Sequence, residues 1–208
     1  MGIYTQDYIV EHFECLDKSR FGQHSNRKYV PAIEVSAGSL GHGLPIAVGY
    51  ALGARHQKRN YRVIVMVGDG ELDEGTNWEA IMSGGHYQLG NLTLIVDKNQ
   101  LQMTGPTAKV MNHDPLDKKL EAFGWDVRVI KDGNDILQVC QALDAVPQAD
   151  PITRKKPIAI ICNTEKGHGV DFMAGNVKWH GGGLGTEDYE HAIQYVESEW
   201  ERRKASWR

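Results

Sequence analysis

Apolar residues gather in four short runs, Arg62–Val67, Leu92–Val96, Trp125–Ile130 and Pro157–Cys162. Each is rich in Val and Ile and reads as apolar on both faces, the pattern of a parallel strand covered by helices on either side. Segments with helical spacing lie between or before them: Gly43–Ala54, Asn77–Gln88, Pro115–Phe123 and Ile136–Ala145. A last helix is predicted over Thr186–Lys204, with Thr186 as N-cap and Glu187 in the first turn. Tyr4–Leu16 fits an amphipathic helix, and Phe21–Pro31 reads as loop. Glycines 41, 49 and 53 are expected to let the helix from Gly43 lie close on the sheet. This strand–helix alternation predicts an α/β fold, a doubly wound, mostly parallel sheet flanked by helices. Ligands of such sheets sit beyond the carboxyl ends of the strands. The loops after Val67, Val96 and Cys162 are therefore the places to look for chemistry.

Composition narrows the function classes. A chain of 208 residues suits one α/β domain, and 41% hydrophobic with 24% charged residues excludes general disorder. The balance of 23 Lys+Arg against 27 Asp+Glu leaves a formal charge of −4, so no basic field exists for nucleic acid or an anionic membrane. The longest apolar runs, such as Ile158–Cys162, are far too short to span a bilayer. Met1–Val10 has neither the basic start nor the apolar core of a secretion signal. Three widely spaced cysteines (Cys15, Cys140, Cys162) form neither a disulfide framework nor a zinc site, which points to a reducing cytosol. The 23 glycines suggest backbone brought close to a ligand, often a phosphate.

The most informative stretch is Val67-Gly68-Asp69-Gly70-Glu71-Leu72-Asp73-Glu74-Gly75, which leaves one strand and enters a helix. Two glycines flank an acid, so the backbone can turn sharply and approach a ligand. Thirty residues on, the next strand ends in Asp97-Lys98-Asn99-Gln100-Leu101. If the strands are neighbours, Asp69 and Asn99 project from adjoining carboxyl ends. A carboxylate, an amide oxygen and a loop carbonyl then make half an octahedron of oxygens, a set that suits Mg²⁺ with phosphates and water completing its shell. The pattern is not a P-loop, and it lacks the third glycine of a dinucleotide fingerprint. A plain strand–turn–helix in a nucleotide-binding domain is the bland alternative.

Gly68-Asp69-Gly70 followed by Asn99 resembles the thiamine diphosphate signature, and the surrounding sequence looks specifically like the transketolase family. Four blocks agree in order and spacing: Gly-Ser-Leu-Gly-His-Gly-Leu at 38–44, Gly-Asp-Gly-Glu-Leu-Asp-Glu-Gly at 68–75, Asn-Leu-Thr-Leu-Ile-Val-Asp-Lys-Asn at 91–99, and Thr-Glu-Lys-Gly-His-Gly at 164–169 with Trp-His-Gly at 179–181. The likeness covers residues 20–185 and is nearest to the separately encoded N-terminal section of two-chain transketolases. It implies that residues 1–208 are the diphosphate-binding domain, without the family's opening segment.

By this resemblance Asp69, Asn99 and the main-chain carbonyl of Leu101 hold Mg²⁺, with Ca²⁺ or Mn²⁺ able to substitute. Gly70, Glu71 and Asn99 line the diphosphate, and Gly38, Ser39 and Leu40 line the thiamine. Lys166 and His180 match a cofactor-binding pair, and His180 also reaches the sugar. His24 aligns with a histidine on the sugar hydroxyls, although its context, Gln23-His24-Ser25, departs from the usual Gly-His-Pro; a surface-loop histidine is the alternative. His42 stands where many relatives have Gln, and hydrogen bonding near the cofactor is its suggested part. Glu74 falls where the family joins the two active sites through an acidic network. Its alternative role, facing the helix dipole in the first turn, is worth roughly 0.3–1 kcal/mol. Asp73, Asn77 and Trp78 are read as capping and packing residues, and His12, His56, His86, His113 and His191 as structural.

The resemblance further implies ketol transfer from a ketose (phosphate) to an aldose (phosphate), in the cytoplasm. The Glu that activates the coenzyme belongs to a pyrimidine-binding domain, for which this sequence has no room. A C-terminal partner subunit in an α2β2 assembly is implied, and the chain alone is expected to be inactive. Two other thiamine diphosphate halves compete with this reading, a deoxyxylulose phosphate synthase-like one and a 2-oxoacid dehydrogenase alpha chain, as does a non-catalytic scaffold built on the same domain.

Overall fold

The computed structural model describes residues 2–147, 155–181 and 183–206. The chain opens with helix α1 (Gln6–His12), capped by Thr5, whose hydroxyl accepts from the Tyr8 N–H. This is shorter than the helix expected over Tyr4–Leu16. Phe13 is extended and bridges to Phe21, and the N–H groups of Arg20 and Phe21 both donate to the His12 carbonyl. The chain thus folds back on itself, and Tyr4, Tyr8 and Phe21 close into an aromatic cluster.

Regular alternation follows. It runs α2 (Gly43–His56), β1 (Val63–Gly68), a 3₁₀ turn at Gly70–Asp73, α3 (Gly75–His86) and β2 (Leu92–Lys98). A two-residue hairpin, β3 (Leu101–Gln102) and β4 (Gly105–Pro106), leads into the single-turn helix α4 (Thr107–Val110). Then come α5 (Leu116–Ala122), β5 (Asp126–Ile130), α6 (Ile136–Asp144), β6 (Ile158–Asn163), a 3₁₀ turn at Val177–His180 and α7 (Thr186–Ser206). The four long strands form one sheet in the order β1-β2-β6-β5, and every pairing is parallel. The expected α/β architecture is therefore present, with the carboxyl ends of β1, β2 and β6 aligned at one edge.

Alternate residues of the strands feed two cores. Leu94, Val96, Ala159 and Ile161 pack with Leu44 and Ala51 of α2, Ile81 of α3 and Leu120 of α5. Ile158, Ile160 and Cys162 pack on the other face with Val139 and Leu143 of α6. Full burial of each such aliphatic side chain contributes about 1.5–3 kcal/mol. Among the described residues no helix is long and apolar enough to cross a membrane.

Two sequence expectations are corrected. The strands are not all covered on both faces. β6 is, but Ile64 and Met66 of β1 are 50% and 65% exposed and Val129 of β5 is 56% exposed, because β1 and β5 are the outer strands. Nor do Gly49 and Gly53 allow the close approach of α2, since a Cβ at either position would meet nothing within 4 Å. The buried alanines 47, 51 and 54 supply that contact. The crowded glycines lie elsewhere. At Gly85 a Cβ would stand 1.8 Å from the Phe123 carbonyl oxygen, and at Gly84 2.8 Å from the Trp125 ring. These two positions seat α3, the helix behind the Gly68–Gly75 loop, against the corner between α5 and β5.

Candidate functional site

Gly68 of β1 stands opposite Asp97 of β2, and the Asp69 N–H continues the ladder by donating to the Asp97 carbonyl at 3.0 Å. Asp69 leaves the sheet after β1, and Asn99 leaves it one residue later on the neighbouring strand, after Lys98. The chain after Asp97 closes over Asp69. The Gln100 N–H donates to Asp69 Oδ2 at 2.7 Å, the Thr107 hydroxyl donates to the same oxygen at 3.3 Å, and Oδ1 accepts from the Gly70 N–H at 3.0 Å. Gln100 reaches this position with φ of 64°, a left-handed conformation uncommon outside glycine. Asn99 and Leu101 flank it, and Asn99 Oδ1 accepts from the Leu101 N–H at 3.1 Å. The structure thus folds the Asn99–Leu101 turn over the Asp69 carboxylate, held there by the Gln100 N–H.

Asp69 is 4% exposed. Burial pushes its carboxyl up from the ordinary value, against the opposing hydrogen bonds from Gln100, Gly70 and Thr107; Asp97 adds repulsion. A carboxylate offers about four lone-pair sites, and three are engaged by protein donors. Burial plus a spare site is the environment in which a hard cation would favour the charged form. Among the described residues no group of three or more His, Cys, Asp or Glu could hold a metal. The donor set of one carboxylate, one amide and one peptide oxygen contains only a single such residue, and it fits Mg²⁺ rather than zinc. A further buried acceptor, Gln102 Oε1, has no hydrogen-bond partner. Gln102 packs on Gly70 so closely that a Cβ there would lie 2.7 Å from the Gln102 Cβ.

A second wall comes from the 38–43 loop. Glu71 Oε1 accepts from the Gly41 N–H at 3.0 Å, and Oε2 accepts a longer bond from Gly68. The Thr76 hydroxyl donates to the Gly41 carbonyl at 2.7 Å. A Cβ at Gly41 would meet Thr76 Oγ1 at 2.5 Å, so the loop can press onto the start of α3 only with glycine there. The Glu71 carboxylate is thereby spent on backbone and shapes the loop. Gly38, with φ of 124°, sits against His24, whose ring would lie 2.5 Å from a Cβ at that position. His24, itself exposed in its loop, therefore lies against the Gly38–Leu40 loop. Ser39 and His42 meet at 3.1 Å, and Leu40 is 57% exposed. Glu74 occupies the N-cap position of α3 without a side-chain capping bond, so its carboxylate stands at the positive end of the helix dipole.

Lys166 and His180 approach from the end of β6. The Thr164 N–H donates to the Lys98 carbonyl, extending the sheet contact, and the Lys166 carbonyl accepts from the Gly175 N–H at 2.8 Å. The Val177–His180 turn packs against β3, which places His180 beside the Leu101 hairpin. Partial burial first, and Lys166 second, lower the His180 pKa from its ordinary 6.5. The ring is therefore neutral near pH 7, able to donate from one nitrogen and accept at the other. The unfolded chain takes up its proton near 6.5 and the folded site only below that, so acidification through this interval costs stability. In Lys166→Met the His180 titration midpoint, followed by its imidazole NMR shifts, should rise part of the way back. An unmoved midpoint would mean that the two groups do not face each other.

Sequence reading missed several supports. Thr107 reaches Asp69 from α4, and Thr76 reaches Gly41 from α3. Asp73 and His113, expected to cap or fill, instead form a pair at 2.7 Å, with Asp73 also accepting from Gln102 Nε2 at 3.0 Å. Asn77 and Trp78 donate to the Glu71 and Leu72 carbonyls at 2.6 and 2.8 Å. Only the Gly105-Pro106 turn signal hinted that the chain after Asn99 doubles back.

Comparison with known proteins gives a consistent result. Residues 8–202 match the family model described as transketolase, thiamine diphosphate binding domain. The chain is 40% identical over 181 residues to one of the subunits of the apulose-4-phosphate transketolase of Actinobacillus succinogenes, covering 87% of this chain and 63% of that one. Against the transketolase of Mus musculus identity is 37% over 172 residues, 82% of this chain and 26% of the other. Among solved structures, transketolase from Campylobacter jejuni superposes with a TM-score of 0.81 at 27% identity, over 91% of this chain and 30% of that chain. The chain thus spans less than two thirds of the length of these relatives.

Proposed function

Since the chain belongs to the transketolase family, in its thiamine diphosphate-binding domain, we propose that residues 1–208 form the diphosphate-binding half of a Mg²⁺-dependent ketol transferase. The observation that carries this reading is the closure of the Asn99–Leu101 turn on Asp69, through the 2.7 Å bond from the Gln100 N–H. Asp69, Asn99 Oδ1 and the Leu101 carbonyl would hold the ion, and Gly70 would present its N–H to the diphosphate. Gly38, Ser39 and Leu40 would line the thiamine, with Lys166 and His180 adding charge and hydrogen bonds. When bound, thiamine diphosphate supplies the electron sink for cleaving the C2–C3 bond of a ketose. The protein's part is to position the sugar. His24 and His180 donate to or accept from its hydroxyls, and the neutral state of His180 suits both.

The apulose-4-phosphate transketolase relatives are named as single subunits and are longer than this chain, which supports a partner that completes the site. We assign to that partner the pyrimidine-binding domain and its activating Glu, in an α2β2 assembly. To Glu74, exposed at the N-cap of α3, we assign the contact with that partner's acidic network. The acceptor is an aldose (phosphate). The three thiols are free, in keeping with a cytoplasmic setting. Co-purification with the neighbouring gene's product, followed by an assay on a panel of ketoses, tests the proposal. Transfer of a two-carbon unit without CO₂ release is expected, and only by the complex. Release of CO₂ from a 2-oxoacid, or no turnover on any donor despite bound cofactor, would overturn it.

A further inference from the structure

We propose that Asp73 is a positioning residue that sets the Leu101 carbonyl for the metal ion, acting through Gln102 and braced by His113. The inference rests on the metal reading above. Leu101 and Gln102 share a peptide bond, so whatever fixes the Gln102 side chain fixes the orientation of that carbonyl. The hairpin does little to fix itself. It pairs only Leu101 with Pro106 and Gln102 with Gly105, and Pro106 has no N–H to contribute. An outside attachment must hold it.

Asp69 holds the base of the hairpin through the Gln100 N–H and the Val177–His180 turn packs on β3, but Asp73 is the attachment at the Gln102 side chain. It ends the 3₁₀ turn that begins at Gly70, so it belongs to the same rigid piece as the Asp69–Gly70 peptide. Its Oδ2 accepts from Gln102 Nε2 at 3.0 Å, and its Oδ1 accepts from His113 Nε2 at 2.7 Å. A carboxylate only accepts, so His113 must carry a proton on Nε2. The side chains are 12% exposed for His113 and 25% for Asp73, so the bond lies at a partly open edge of the site. His113 in turn lies against Trp78, which holds the Leu72 carbonyl of the same turn. The two strand-end loops are thus stapled to each other by side chains 29 and 40 residues apart in sequence. The staple also leaves Gln102 Oε1 buried, unpartnered and packed beside Gly70.

The test is a Mg²⁺ titration of thiamine diphosphate binding, by calorimetry, on the complex with the partner protein. Asp73→Ala and Gln102→Met should each weaken Mg²⁺ about 10–100-fold, the usual effect of losing a group that orients a ligand. The double variant should be little worse than either single, because both remove one device. Melting temperatures without metal should stay close to wild type. If Asp73→Ala unfolds, Gln102→Met decides, since it leaves the Asp73–His113 pair intact. Asp69→Asn serves as the control for the underlying reading. Wild-type Mg²⁺ affinity in Gln102→Met and Asp73→Ala, with affinity lost in Asp69→Asn, overturns the positioning role alone. Wild-type affinity in Asp69→Asn overturns the metal site itself.

Discussion

Replacing Asp69 with alanine should abolish Mg²⁺-dependent retention of thiamine diphosphate. Asp69 is the one charged group in the proposed oxygen set, and it is buried where its field is poorly screened. Loss of a residue that merely orients a metal ligand costs about 10–100-fold, so loss of the charged ligand should exceed about 100-fold, or about 2.8 kcal/mol. The cost to the fold runs in two directions. Alanine strands the Gln100 and Gly70 N–H groups and the Thr107 hydroxyl, at about 1–3 kcal/mol for each that stays buried. It also removes a carboxylate that burial disfavours in its charged form. Asp69→Asn separates these effects, because it keeps the shape and one accepting oxygen but no charge. Equilibrium dialysis with and without a chelator should show cofactor retained by wild type only. Retention by both variants would remove Asp69 from the metal site.

The second large effect lies behind the site. Trp125→Ala should lower stability by about 3–5 kcal/mol, a large part of the 5–15 kcal/mol typical of a domain. Trp125 is 2% exposed, and its Nε1–H donates to the Ile81 carbonyl of α3 at 2.9 Å inside the core. The cost falls at the upper end because the neighbours cannot fill the hole. The α3 residue against the ring is Gly84, which has no side chain to move, and at Gly85 α3 already touches the Phe123 carbonyl. Thermal melting should shift down by roughly 6–20 °C for a chain of this size, with a matching loss of urea midpoint. A loss below about 1 kcal/mol would mean that the indole is not the contact that seats α3.

The expectations that held rest on local pattern. The runs at 62–67, 92–96, 125–130 and 157–162 became strands within a residue or two, because a hydrophobic run bounded by turns is decided by its own residues. The adjacency of Asp69 and Asn99 was legible too, since consecutive strands of a parallel sheet pair more often than not. What failed depends on partners far along the chain. Ile64 and Met66 look as apolar as Ile158 and Ile160, and only the strand order decides which pair is covered. The β3–β4 hairpin is too short to leave a periodic signal. Thr107 on Asp69 and His113 on Asp73 join residues 38 and 40 apart, where no spacing rule applies. His113 reads as an ordinary turn histidine until the fold lays it over Trp78.

The Gly68–Gly75 loop does not hold its shape by its internal bonds alone. Its Glu71 and Leu72 carbonyls are gripped by Asn77 and Trp78, downstream of the motif that identifies it. The recognisable eight-residue signature is therefore not a transplantable module. Grafted into a foreign scaffold without Asn77, Trp78 and the glycine-faced seat beneath them, it would carry Asp69, one of the proposed ligands, but not the mould. A designer borrowing this centre would have to move the helix along with the letters.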